Sequence, residues 1–295
     1  MRASERQLLH WHGEQELFEA ALRFTETMTG FSRRLVEKDY YCTLVLDYLT
    51  GVEGLVFKGG TCLAKVHASF YRLSEDLDFV IPTPTGATRR ERSGRTAALK
   101  GALAELPGRQ PVLKIKAPLR GANESTQYLA TLAYDSVVTG EDEAIELEVG
   151  LREPLLEPAI VAQAATVLID PVANAPQVAP VPVTCMSLRE SLAEKSRAAL
   201  SRRESAIRDF FDLDYAANRL GVDLGEPALL AMIGAKLRVP GNGPVDVSPA
   251  RLAALRPQLK TKLQPVLRPA DFAGFDLDRA FRIVADMAAE VGKAT

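Results

Sequence analysis

The chain has 295 residues, enough for one large domain or two ordinary ones around a sizeable buried core. With 47% hydrophobic and 25% charged residues it has the composition of an ordinary globular protein, and a net charge of -2 excludes whole-molecule basic character as a route to nucleic acid. Any nucleic-acid surface must be a local patch.

Near the start, His10 and His12 form a His-Trp-His with chelating spacing but no third ligand nearby, so a surface or partly packed role is expected. From Glu14 to Leu49, Leu17, Ala21, Phe24 and Met28 recur at three- and four-residue steps, which predicts helix. "GVEGLVFKGG" reads as a turn, a short buried strand and a glycine stop. "TCLAKVHASFYR" follows as a helix, and "SEDLDFVIP" as a strand closed by Pro82. "TRRERSGRTAALKGALAEL" is basic at its start and helical later, whereas "PVLKIKA", "STQYLATLAYDSVV" and "EAIELEVGLRE" alternate as half-buried strands do. "DPVANAPQVAPVPVT" reads as a connection with one short strand in "VPV". Beyond it the pattern is helical, and Ser187 and Glu190 have the spacing of a capping box that starts a helix near Leu188.

The expected architecture is α/β: a mixed sheet with helices packed on it over residues 1–180, then a helical part over residues 181–295. Cys42, Cys62 and Cys185 lie far apart in sequence and fit neither a disulfide framework nor a zinc spacing, which points to a reducing compartment. No segment reads as a signal peptide or a membrane span, so a soluble cytoplasmic protein is expected.

Asp76 and Asp78 interrupt an otherwise apolar strand. Alternation puts both on one face, roughly 6 to 7 Å apart, with Leu77 and Phe79 on the other. Such a pair can share divalent cations, particularly Mg²⁺, or it can be an ordinary solvent-exposed edge. The preceding "KGGT" favours the site: glycines permit tight turns and close approach of a phosphate, and a helix starting at Thr61 would offer free N–H groups and a hydroxyl. Glu146 and Glu148 repeat the same-face device, and either becomes a third carboxylate if its strand lies beside the first. On the helix after Leu188, Lys195 falls inside the apolar stripe of Leu188, Leu192 and Ala199. It either snorkels out or points towards something negative. A glycine turn, a carboxylate pair, a third carboxylate and an inward lysine are the parts nucleotidyl transfer needs, because metal charge and positioning do most of that work.

In this arrangement the chain resembles the AbiEii-type nucleotidyltransferase toxins, a branch of the DNA polymerase β-like superfamily that includes the mycobacterial MenT toxins. The matching pieces are "VEKDYYCTLVL", "FKGGTCL", "RLSEDLDF", "IELEVGLRE" and "LAEKSRAALSRRESAIRDFFDL", in the family's order from Val36 to Leu213. The resemblance implies a nucleotidyltransferase α/β domain followed by a helical domain, with the site in the cleft between them. It implies that Asp76, Asp78 and Glu148 bind two Mg²⁺ ions, and that Gly59, Gly60 and Thr61, preceded by Lys58, hold the triphosphate of an NTP. Ser74 stands in a Ser-x-Asp position, Lys195 contacts nucleotide phosphates, and Arg208 and Asp209 form an Arg-Asp pair near the site, followed by Asp212. As a toxin of a type IV toxin–antitoxin or phage-defence system, such a protein transfers NMP to RNA, the tRNA 3′ end in some members, inhibits translation, and has a cognate antitoxin encoded by the neighbouring gene. Acceptor recognition could lie in the unmatched ends or in the basic "TRRERSGR" and "SRRESAIR" stretches, which otherwise read as solvated helix faces. Two other readings stay open: a same-fold transferase modifying a small molecule or protein hydroxyl, and a non-catalytic nucleotide-binding regulatory module.

Overall fold

The computed structural model describes residues 11–293, so His10 lies outside them. Among the described residues no helix is long and apolar enough to cross a membrane. The expected first helical run is two helices, α1 (Gln15–Thr29) and α2 (Arg33–Leu49), separated at Gly30. Gly30 takes the left-handed conformation at φ 78° and donates its N–H to Glu26 O, ending α1. The buried face of α1 is also not the expected one. Phe18, Ala21, Leu22 and Thr25 are buried, with Phe18 against Tyr40, while Leu17 and Met28 are exposed.

After α2 come β1 (Val56–Lys58), α3 (Gly59–Cys62), which continues as a π-type turn to His67, and β2 (Leu77–Val80). The helix expected through Arg72 stops here because Ser69 and Phe70 adopt positive φ and turn the chain back. Next are α4 (Arg89–Arg95), α5 (Ala97–Arg109), β3 (Lys114–Ala122), β4 (Gln127–Asp135), β5 (Asp142–Gly150), β6 (Ile160–Ala164) and β7 (Val181–Cys185). They form one sheet in the order β3-β4-β5-β2-β1-β7-β6. β2 runs parallel to β5 and β1 parallel to β7, and the other pairs are antiparallel, so the sheet is mixed, as expected. β6 was not legible in the sequence, and the "VPV" strand sits inside the sheet beside β1.

The remainder is helical: α6 (Leu188–Ser201), α7 (Ile207–Asn218), α8 (Pro227–Leu237), α9 (Pro249–Leu255), α10 (Pro269–Ala273) and α11 (Leu277–Lys293). Ser187 caps α6 by accepting the Glu190 N–H. The reciprocal half of the expected capping box goes elsewhere. Glu190 is buried, accepts the N–H groups of Leu156 and Glu157, and pairs with Lys236 at 2.7 Å, partners that repay the hydration its carboxylate loses.

Among the described residues two large apolar cores result, beside a small cluster of Val56, Val80 and Met186. One lies between the sheet and helices α1, α2 and α5; the other is built from the C-terminal helices but also takes Leu63, Ala64, Ala68 and Tyr71 from the segment after the glycine pair. Polar contacts reinforce this junction. Arg72, 1% exposed, donates from Nε and Nη2 to Asp212 at 2.6 and 2.8 Å, and the Tyr71 hydroxyl donates to the same carboxylate at 2.5 Å. Lys195 pairs with Asp212 at 2.8 Å.

Asp212→Ala would leave the buried guanidinium unpaired, and a loss of about 3–5 kcal/mol of stability is expected, read as a shift of the urea midpoint. Burial would raise the pKa of Asp212, but Arg72 and Lys195 outweigh it and hold it well below the usual carboxylate range. Its stabilising contribution is therefore present above the unfolded carboxylate pKa and lost as pH falls towards the folded one, so the penalty of the substitution should shrink in acid. A penalty under ~1 kcal/mol at neutral pH would contradict this account of the junction.

Candidate active site

The glycine pair is demanded by crowding. Gly59 has φ 77°, and a Cβ there would collide with the Asp78 carboxylate. One at Gly60 would collide with the Arg72 guanidinium. The main chain thus passes directly over a carboxylate from β2 and against the guanidinium of the junction. Thr61 is buried, and its hydroxyl donates to the Asp76 carbonyl, so it fixes the approach to β2.

Parallel pairing places Asp78 opposite Glu148, with Leu77 opposite Leu147. The strand adjacency on which a third carboxylate depended is therefore present. Asp76, Asp78 and Glu148 line one cavity of about 1000 Å³ together with Gly60, Ser74, Lys195, Arg208 and Asp209. Glu146 is exposed and accepts a hydrogen bond from the Thr131 hydroxyl at 2.9 Å, which leaves Glu148 as the cavity carboxylate of β5. Lys58 and Gly59 border an adjoining cavity of about 170 Å³ that shares Asp78, Glu148 and Lys195.

The electrostatics are those of an under-neutralised acidic floor. Burial pushes Asp78 up to about 6, with the Glu148 charge adding to it against Lys58 and Lys195. Burial also raises Asp76, partly offset by Lys38. The nearest lysines are committed to other acids. Lys195 pairs with Asp209 at 2.9 Å and Asp212 at 2.8 Å, and Lys58 with Glu194 at 2.8 Å. The anion that the position of Lys195 called for is thus supplied first by α7, while its side chain still borders the cavity. Burial works against its charge, yet Asp209 and Asp212 prevail and its pKa is raised.

The same cavity also has a mainly basic stretch of lining, interrupted by Glu204. Arg202, Arg203 and Arg208 come from the end of α6, the loop after it and the start of α7, within the "SRRESAIR" stretch, and Lys262 joins them from the C-terminal helices. Arg208 donates to the Lys262 carbonyl at 3.2 Å. The other basic stretch forms α4, whose arginines do not line this cavity. Sequence reasoning missed Arg72, which backs Gly60, and Lys262 and Gln258, which no periodicity or motif marks. His12, from the His-Trp-His segment, shares a 2.9 Å hydrogen bond with the Tyr40 hydroxyl.

Residues 49–286 match the family model for the nucleotidyl transferase AbiEii toxin of type IV toxin–antitoxin systems. None of the curated proteins compared with the chain matches it. Among solved structures, the fold is similar to that of MenT4, a nucleotidyltransferase toxin from Mycobacterium tuberculosis H37Rv, with TM-score 0.55, 22% identity and 86% of each chain covered. It is also similar to JHP933 from Helicobacter pylori, with TM-score 0.51, 15% identity, and 90% of this chain and 94% of that one covered. The family match runs through the glycine pair, the three cavity carboxylates and the helices that face them, and by it the chain belongs to the AbiEii nucleotidyltransferase toxins of type IV toxin–antitoxin systems.

Proposed function

We propose that the chain transfers NMP from an NTP to an RNA hydroxyl, the 3′ end of tRNA, breaking the bond between the α- and β-phosphates and releasing pyrophosphate, and so inhibits translation until its cognate antitoxin restrains it. The observation that carries this reading is one cavity with an acidic floor, Asp76, Asp78 and Glu148, and a basic rim, Arg202, Arg203, Arg208 and Lys262. A floor of that kind suits metal ions, and a rim of that kind suits a polyanion. The α/β part and the helical part are the two domains of this reading, each supplying one wall.

The donor set fits Mg²⁺: it is all carboxylate oxygen, and Asp78 is costly as a bare anion because the neighbouring lysines are engaged elsewhere. Asp76, Asp78 and Glu148 would hold two such ions, which when bound supply charge neutralisation at the phosphates and acidify the attacking hydroxyl. Gly60 brings the main chain to the cavity wall where a triphosphate would lie, and Ser74 presents a hydroxyl to it. Lys195, held in orientation by Asp209 and Asp212, adds a fixed positive charge. Glu148 or one of the two aspartates accepts the proton of the attacking hydroxyl. Arg208 and the arginines before it meet the acceptor phosphates, which explains how a chain of net charge -2 can bind RNA.

Purified protein given Mg²⁺, each labelled NTP in turn and total tRNA should label RNA, and Asp76→Ala should lower the rate by at least about 100-fold, the several kcal/mol that metal-held charge contributes. Label entering a metabolite or a protein while RNA stays blank would redirect the acceptor assignment; no label with any NTP would refute transfer itself.

Asp78→Asn should stabilise the metal-free protein at pH 8, because it removes an uncompensated carboxylate at the cost of activity. The sign follows from a folded pKa of about 6 against the ordinary aspartate value of 3.8: protonated Asp78 favours the fold, and this is lost as pH rises through about 6. The gain in melting temperature should therefore shrink between pH 6 and pH 4. Mg²⁺ should raise the melting temperature of wild type at pH 8 and leave Asp78→Asn nearly unmoved.

A further inference from the structure

The three cysteines have no zinc spacing in sequence, but the fold brings two of them together. Cys62 closes α3 immediately after the glycine pair and Thr61, and Cys185 ends β7. The parallel pairing of β1 with β7 sets Phe57 opposite Cys185, and the Met186 N–H donates to the Phe57 carbonyl at 2.9 Å, which locks the end of β7 beside the glycine turn. His67, at the end of the π-type turn, completes the group. One ligand atom from each of Cys62, His67 and Cys185 lies within 4.8 Å of the others.

We propose that Cys62, Cys185 and the His67 imidazole form a binding site for a soft divalent cation of the Zn²⁺ class, lying directly beneath the glycine turn. Around a tetrahedral zinc, ligand atoms at about 2.0–2.3 Å from the ion stand roughly 3.5–3.8 Å apart, so from a limit of 4.8 Å the cluster needs to contract by about 1.3 Å at most. Its chemistry is also distinct from that of the cavity floor: two sulfurs and an imidazole select zinc-like ions, whereas three carboxylates select magnesium. The imidazole is oriented from outside the cluster. Its Nε2 lies 3.0 Å from the Met186 carbonyl, which can accept only from an N–H, so a neutral ring carries its lone pair on Nδ1. Both cysteines are fully buried while His67 is half-buried, so the imidazole is the ligand of the three nearest to solvent. The bound ion would tie α3, which carries the glycine pair, to the end of β7.

The reduced, full-length protein is titrated with Co²⁺, whose thiolate charge-transfer and tetrahedral ligand-field absorption report sulfur ligation, and bound metal is displaced with Zn²⁺ and counted after gel filtration. One equivalent with a thiolate band is expected, kept in Asp78→Asn and weakened at least tenfold in Cys185→Ala and in His67→Gln. The His67→Gln variant serves where loss of a core sulfur disturbs folding, since that side chain is half-buried. Zn²⁺ should also raise the melting temperature of wild type and of Asp78→Asn alike. Absence of a thiolate band, a band that survives Cys185→Ala, loss of binding in Asp78→Asn alone, or recovery of a Cys62–Cys185 disulfide in the reduced preparation would each overturn the site. These results are independent of whether RNA is labelled, so failure of the metal site and failure of the transfer reading are separable.

Discussion

Everything at the centre of the molecule is referred to one buried carboxylate, Asp212. It accepts from the Arg72 guanidinium and the Tyr71 hydroxyl and pairs with Lys195. A buried ion pair is not in itself a source of stability, because desolvation consumes most of the Coulomb gain unless the remaining hydrogen-bonding capacity is filled. Here it is filled from both layers, and that saturation is what the arrangement requires. Arg72, once fixed, occupies the space a side chain at position 60 would need. Lys195, once fixed, stands beside the carboxylate cavity. The glycine requirement, the orientation of the lysine and the seam between the two cores therefore follow from a single set of contacts.

Local patterns in the sequence were informative where a residue's environment is set by its own element. Alternation set Asp76 and Asp78 on one side and helical periodicity turned Lys195 inward; all three line the cavity, although Asp76 lies one residue before β2. It failed where the answer depends on which elements become neighbours. Nothing local states that β2 lies beside β5, and only that pairing separates Glu148, opposite Asp78, from Glu146, which bonds Thr131. The capping-box reading of Glu190 failed for a related reason: a long-range ammonium and two loop N–H groups outcompete one local N–H. On α1 a three- and four-residue rhythm was real but ambiguous by one position, and the aromatic contact of Phe18 with Tyr40 decided it.

Cysteine arithmetic shows the same limit in another form. Spacing rules describe sites made by consecutive turns, whereas Cys62 and Cys185 meet through the pairing of β1 and β7 and His67 through the turn that follows α3. The basic rim is intermediate between these cases. Its arginines were visible as a dense run, yet the facing of Lys262 towards them belongs to the packing of the C-terminal helices alone.

The segment that follows the glycine pair contributes Leu63, Ala64, Ala68 and Tyr71 to the helical core, while Phe57, Leu77 and Phe79 of the strands on either side of it belong to the other core. Swinging one layer away from the other would pull those side chains into water and strip Arg72 from its partner. The cleft is thus a socket of fixed width more than a jaw. The exposed part of its lining includes the loop after α6, with Arg203. On the proposed function, release of a polyanion from that rim is the step such a socket would slow, and anything that occupies the aperture would silence transfer without touching its chemistry.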